Sequence, residues 1–241
     1  MKKKILILML LCFTFMSCDL ESDRRIIHRI EPNNLSLFVG MEYDLQYSGG
    51  KCKWSSENDN IVSVDANGNV RAEHVGYTTI RANEAECKIN VCSAKNCYKE
   101  PILRWGASLS SIKNSEYSTL VQSNASALLY ENRYISEYNK VKYYIYAFES
   151  SKLKSSFMAI PIDCAGELAD FLLDRYIPQS IDSNDYTATF ISPDGKTYVM
   201  LMLETLNGEP LCVVGYAPYE TTKSSMVTYK EKFRELMMNI K

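Results

Sequence analysis

Between Leu35 and Val91 the chain alternates apolar and polar positions in short runs, each closed by Gly, Asn or Asp. Leu35, Leu37 and Val39 form one such run, and Tyr43, Leu45 and Tyr47 form the next. Cys52 to Trp54, Ile61 to Val64, Val70 to Glu73, Thr78 to Ala82 and Cys87 to Val91 continue the period of two. A period of two places one side-chain set on a buried face and the other in solvent. About seven short strands at such close spacing predict an all-β sandwich.

Beyond Lys99-Glu100-Pro101 the pattern changes. Ser108 precedes Leu109 to Lys113 as the N-cap of a short helix. Ala127 to Glu131, Lys142 to Phe148 and Phe157 to Ile162 read as strands, with Tyr144, Tyr146 and Phe148 on one face. Ala165, Leu168, Leu172 and Tyr176 then follow a helical period, with Asp163 as N-cap and Pro178 as stop. Tyr186 to Ile191, Thr197 to Glu204 and Leu211 to Tyr216 are three more strands, joined by turns at Pro193-Asp194-Gly195 and Asn207-Gly208. A last helix is expected over Ser225 to Ile240. The pattern predicts an α+β domain: a mostly antiparallel sheet with covering helices, long enough for its own core.

The N-terminus reads differently from both. Lys2, Lys3 and Lys4 lead into an apolar run from Ile5 to Met16, too short to span a bilayer, which takes about 20 residues. Phe15-Met16-Ser17-Cys18 resembles the lipobox of bacterial lipoproteins. The resemblance implies a signal peptide over residues 1–17, lipidation at Cys18 and a charged tether over residues 18–29. Acyl chains on Cys18 anchor a protein to the membrane from outside the cytoplasm. The expected location is the cell envelope, at the outer membrane or the cell surface.

The stretch over residues 27–92 resembles the bacterial immunoglobulin-like domain, group 2, a module of surface adhesins. The residues that carry the likeness are Trp54-Ser55-Ser56, the run Ile61-Val62-Ser63-Val64-Asp65 with Gly68 and Val70, and Gly76-Tyr77-Thr78-Thr79-Ile80. It implies a structural spacer that presents another domain, here residues 101–241 beyond a linker at 93–100.

Cleavage and lipidation reduce eight cysteines to six, an even number that suits disulfides in an exported chain. The immunoglobulin-like topology, with Cys52 sharing the parity of Trp54 and Cys87 that of Ile89, implies a Cys52–Cys87 bond. For Cys92, Cys97, Cys164 and Cys212 the pairing stays open; Cys92–Cys97 and Cys164–Cys212 is the expected arrangement.

Charge and chemistry narrow the function. Without Lys2, Lys3 and Lys4, 24 basic residues face 29 acidic ones, so nothing favours nucleic acid. The only two histidines are His28 and His74, both outside residues 101–241, so that domain lacks the base for Ser-His or Cys-His catalysis. No metal motif, phosphate loop or cofactor signature occurs, and Asp163, Glu167 and Asp170 suit the start of a helix better than a catalytic pair. Asp65 to Asn69 reads as a hairpin turn, since a calcium loop needs a Glu where Gly76 stands. Seventeen tyrosines are the one compositional excess. Trp105, Tyr216 and Tyr219 are the candidate binding residues, with Tyr229 beside them. The sequence thus predicts a non-enzymatic lipoprotein whose second domain serves binding or adhesion to a protein or glycan ligand, the alternative being a glycan-binding accessory lipoprotein that uses exposed tyrosines.

Overall fold

The computed structural model describes residues 28–206 and 208–219. The expected leader, the lipidation site at Cys18 and the helix over Ser225 to Ile240 lie outside the described residues.

The N-terminal unit is a sandwich. Strands β1 (Ile30–Glu31), β2 (Asn34–Phe38), β3 (Glu42–Asp44), β4 (Gln46–Tyr47), β5 (Trp54–Ser56), β6 (Val62–Val64), β7 (Asn69–Ala72), β8 (Gly76–Ala82) and β9 (Ala85–Cys92) follow one another in short steps. One sheet has the order β2-β9-β8-β5 and the other β3-β7-β6, with β1 paired to β4. The alternation does what the sequence implies: Ala85, Cys87, Ile89 and Val91 are buried along β9, and Thr78, Ile80 and Ala82 along β8. Gly68 closes the β6–β7 hairpin at φ +91°, and a Cβ there would stand 2.6 Å from the Trp54 ring. Only glycine satisfies both the left-handed backbone and the close approach.

The second unit is built on one eight-stranded antiparallel sheet. Its strands are β10 (Thr119–Ser123), β11 (Ala127–Glu131), β12 (Tyr143–Glu149), β13 (Lys152–Pro161), β14 (Ile177–Asp182), β15 (Thr187–Ile191), β16 (Thr197–Leu206) and β17 (Glu209–Pro218). The order β10-β11-β12-β13-β17-β16-β15-β14 makes it two four-stranded meanders joined edge to edge at β13 and β17. Two helices are described in this unit: α1 (Leu109–Lys113) and α2 (Ala165–Leu173). Among the described residues the unit is therefore β-rich: the expected antiparallel sheet is present, while two short helices give the α+β class with covering helices little support. The helix-stop reading of Pro178 missed β14, because Pro178 sits on the sheet's edge strand, where its lost donor costs no ladder bond.

The central strands β12, β13 and β17 are buried on both faces, which is why they read as near-continuous apolar runs, whereas the edge strands β10 and β14 are largely exposed. Tyr144, Tyr146 and Phe148 share one face as expected, packed with Phe157's neighbour Met158 and with Leu168, Phe171 and Leu172 of α2. Ile145, Ala147, Phe157, Met202 and Val213 form the opposite core. Phe157 pairs in register with Gly215, whose missing side chain leaves room for the ring.

The two units touch through polar contacts. Val75 donates its backbone N–H to the Asp174 carbonyl at 2.8 Å, and the Ser93 hydroxyl donates to the Asp174 carboxylate at 2.5 Å. Asn58 reaches the Pro193 carbonyl at 3.1 Å, and Arg175 donates to Asn96 at 2.7 Å.

The six cysteines are free thiols. Cys87 is buried in the sandwich core with Cys52 packed against it, so the parity argument placed the side chains on the right side without a bond joining them. Cys97 and Cys164 pack against the helix-side core that contains Cys212, whereas Cys92 ends β9 and accepts from Asn90, so the expected Cys92–Cys97 pair is split. The expected Cys164–Cys212 bond is absent as well.

Candidate functional site

The segment that leaves the sandwich crosses the second sheet and is pinned to it by buried tyrosines. Tyr98 donates to the Cys164 carbonyl at 3.1 Å and packs edge-on against Phe171. The Tyr144 hydroxyl donates to the Lys99 carbonyl at 2.9 Å, and that of Tyr146 accepts from the Ile102 N–H at 3.3 Å while donating to the Glu116 carboxylate. Ser156 holds the Ile102 carbonyl at 2.7 Å. These hydroxyls satisfy backbone groups that no ladder serves. Burial pushes the Tyr144 hydroxyl up to about 12, so it remains a neutral donor at physiological pH.

Opposite the crossing lies the β11–β12 loop. Asn132 fixes its base, donating to the Val141 carbonyl at 2.9 Å and accepting from the Tyr134 N–H at 3.1 Å. The loop is tied to the crossing by Lys99 N–H to Asn139 at 3.2 Å and Lys140 N–H to the Cys97 carbonyl at 3.0 Å.

Between them is a recess of about 290 Å³, lined by Lys99, Glu100, Glu116, Tyr117, Arg133, Tyr134 and neighbouring Ser, Thr and Asn side chains. That lies at the small end of ligand pockets, roughly 300–1,000 Å³. Tyr117 and Tyr134 are 90% and 88% exposed. Lys99 places its Nζ 5.6 Å from the centre of the Tyr117 ring. On the inner side, Glu100 accepts from the Tyr176 hydroxyl at 2.5 Å. Burial holds its carboxyl above the ordinary range, against the opposing pull of Tyr176, Arg175 and Tyr216. Burial, aided by Glu100, also pushes the Tyr176 and Tyr216 hydroxyls well up. Exposed aromatic rings and polar side chains thus line the same recess, the composition common to small-ligand sites.

The residues expected from sequence are elsewhere. Tyr216 is 1% exposed, because β17, which continues to Pro218, turns its ring into the helix-side core. Trp105 is half-buried against the same core. Tyr219 is 47% exposed at the end of β17 and takes no part in the recess. Tyr229 lies outside the described residues. The acids of the second helix are engaged on the surface: Glu167 pairs with Lys140, and Asp170 with Lys95 at 3.0 Å. Asp163 lies in a one-turn 3-10 helix before α2, whose N-cap is Cys164. Asp65 spends one carboxylate oxygen on the N–H groups of Asn67 and Asn69, the bonds of a turn. Among the described residues no cluster of His, Cys, Asp and Glu could hold a metal ion.

Sequence reasoning missed Tyr117 and Tyr134. Their signal was present: each stands in an aperiodic stretch beside Ser, Asn and charged residues, where an aromatic has no core to enter.

No curated protein matches the chain. Residues 29–86 match the family model of the bacterial Ig-like domain (group 2), so the N-terminal sandwich has the family its sequence suggested, while the match stops short of the unit that holds the recess.

Proposed function

We propose that this chain is a non-enzymatic cell-envelope lipoprotein, anchored through Cys18 at the outer membrane or surface, whose Ig-like sandwich spaces a binding unit from the membrane. The binding unit is the eight-stranded sheet, and its ligand is a glycan held in the recess between Tyr117 and Tyr134. One observation carries the reading: two nearly fully exposed tyrosines flank a polar recess of about 290 Å³ on a crossing segment fixed from beneath. Exposed rings of this kind gain from covering by the apolar face of a sugar, while the surrounding amides and hydroxyls take its hydroxyl groups. The polar contacts between the two units support a spacer that holds the recess in a set direction.

The test is a glycan array probed with the full chain in mild detergent, followed by titration of the best ligand. Tyr134→Ala and Tyr117→Ala are each expected to weaken binding about fivefold to tenfold, as loss of a ring contact of about 1 kcal/mol implies. Both side chains are solvent-exposed, so the variants keep the parent melting temperature. Absence of glycan binding, or binding that ignores both substitutions, refutes the reading.

A further inference from the structure

We infer that the glycan unit bound in this recess carries a carboxylate, as a uronic or sialic acid does. This rests on the reading of the recess as a glycan site and concerns which glycans it takes.

The charges that line the recess point in different directions. The recess is lined by two acids and two cations, which would cancel if all faced the ligand. They do not. Glu116 is occupied on both oxygens, one accepting from the Ser118 N–H at 2.9 Å and the other from the buried Tyr146 hydroxyl. Glu100 is held from behind by Tyr176. Both carboxylates are thus committed to the protein.

The cations are committed to much less. Lys99 lies over Tyr117 and, among the described residues, shows no ion pair. Among the described residues Arg133 has one ion-pair partner, Glu131, 3.5 Å from its Nε, in an exposed pair of the kind that contributes little. Its terminal nitrogens, the ones that grip a carboxylate in two-point fashion, are not used by that contact. Arg104 adds a third positive charge at the rim, donating at 2.5 Å to Ser115, itself a lining residue. Lys99 and Arg133 are thus the charged groups of the lining left with capacity to meet a ligand, beside Tyr117 and Tyr134. Rings for the apolar face of a sugar and cations for a carboxylate together describe an acidic sugar better than a neutral one. A simple anion would leave the rings without use.

The experiment titrates the full chain in mild detergent with methyl β-glucuronide and sialyllactose against their neutral counterparts, methyl β-glucoside and lactose. The expected result is that the acidic member of a pair binds at least about tenfold more tightly, a difference of about 1.4 kcal/mol. Lys99→Gln together with Arg133→Gln should erase that preference, and added salt should reduce it. Tyr134→Ala should weaken the acidic ligands too. Equal binding of acidic and neutral sugars, still sensitive to Tyr134→Ala, overturns the inference and leaves the glycan reading standing. Binding of neither kind overturns both. Displacement of the sugar by equimolar inorganic phosphate, or acidic-sugar binding indifferent to Tyr134→Ala, also overturns the inference, because the site would then be adventitious charge.

Discussion

Gly215→Ala is expected to destabilise the second unit through a single collision. Gly215 sits in the middle of β17, paired in register with Phe157 on β13. A Cβ there would lie 2.8 Å from Phe157 Cε1 and 3.0 Å from Cδ1, with Met202 Cε at 3.8 Å on the far side. Phe157 is 1% exposed, so its ring cannot swing into solvent, and the void of about 10 Å³ beside it is far smaller than a ring. Overpacking of this kind costs about 1–3 kcal/mol, against a gain of about 0.4–1 kcal/mol from the stiffer unfolded chain. The net loss should be about 1–2 kcal/mol. Urea unfolding can read it from Trp105 in a Trp54→Phe background, since the chain has only two tryptophans and Trp105 belongs to the second unit. Phe157→Leu supplies the decisive comparison. Alone it removes buried ring and also destabilises; combined with Gly215→Ala it relieves the collision. The double variant should therefore be at least about 1 kcal/mol more stable than the sum of the singles predicts. Additivity to within about 0.5 kcal/mol would refute the collision as the cause, since independent sites add to that precision.

Further outcomes follow from contacts elsewhere. Asp174→Ala removes the acceptor of the Ser93 hydroxyl at the junction of the units; the loss of about 1 kcal/mol should appear as faster limited proteolysis within residues 93–100, and an unchanged cleavage rate counts against a fixed junction. Burial raises the Cys87 thiol from 9.0 to about 11. Below pH 9 it is neutral folded or unfolded, so the sandwich should lose stability as pH rises from about 9 toward 11. Alkylation at pH 8 should spare Cys87 until the sandwich unfolds, and rapid labelling of the native chain would contradict its burial.

The Ig-like sandwich was legible in the sequence because its sheets bury one face each. Under that constraint a period of two has one solution, and Trp54, Gly68 and the β9 alternation mark it residue by residue. The second unit was legible as strands, and Tyr144, Tyr146 and Phe148 were placed on the correct common face. Its class was less legible, because strands buried on both faces give continuous apolar runs that carry little information on what covers them. Disulfides were overcalled on cysteine count and parity, which say which way a sulfur points and nothing about its distance from another.

By itself the sequence determined the local matters: strand periods, turns that need glycine, the Ser108 helix cap, and the absence of histidine from residues 101–241. Only the tertiary structure decided which of the many tyrosines are core and which are free. Tyr216 and Tyr134 are the same chemical group in superficially similar surroundings. The helix-side core covers the first on β17, and a loop tied down by Asn132 leaves the second in solvent. The recess likewise exists because Lys99, Glu116 and Arg133, far apart in the chain, are brought together by the strand order and by the tyrosines beneath the crossing. Contacts of that separation are set by packing, and no local pattern encodes them.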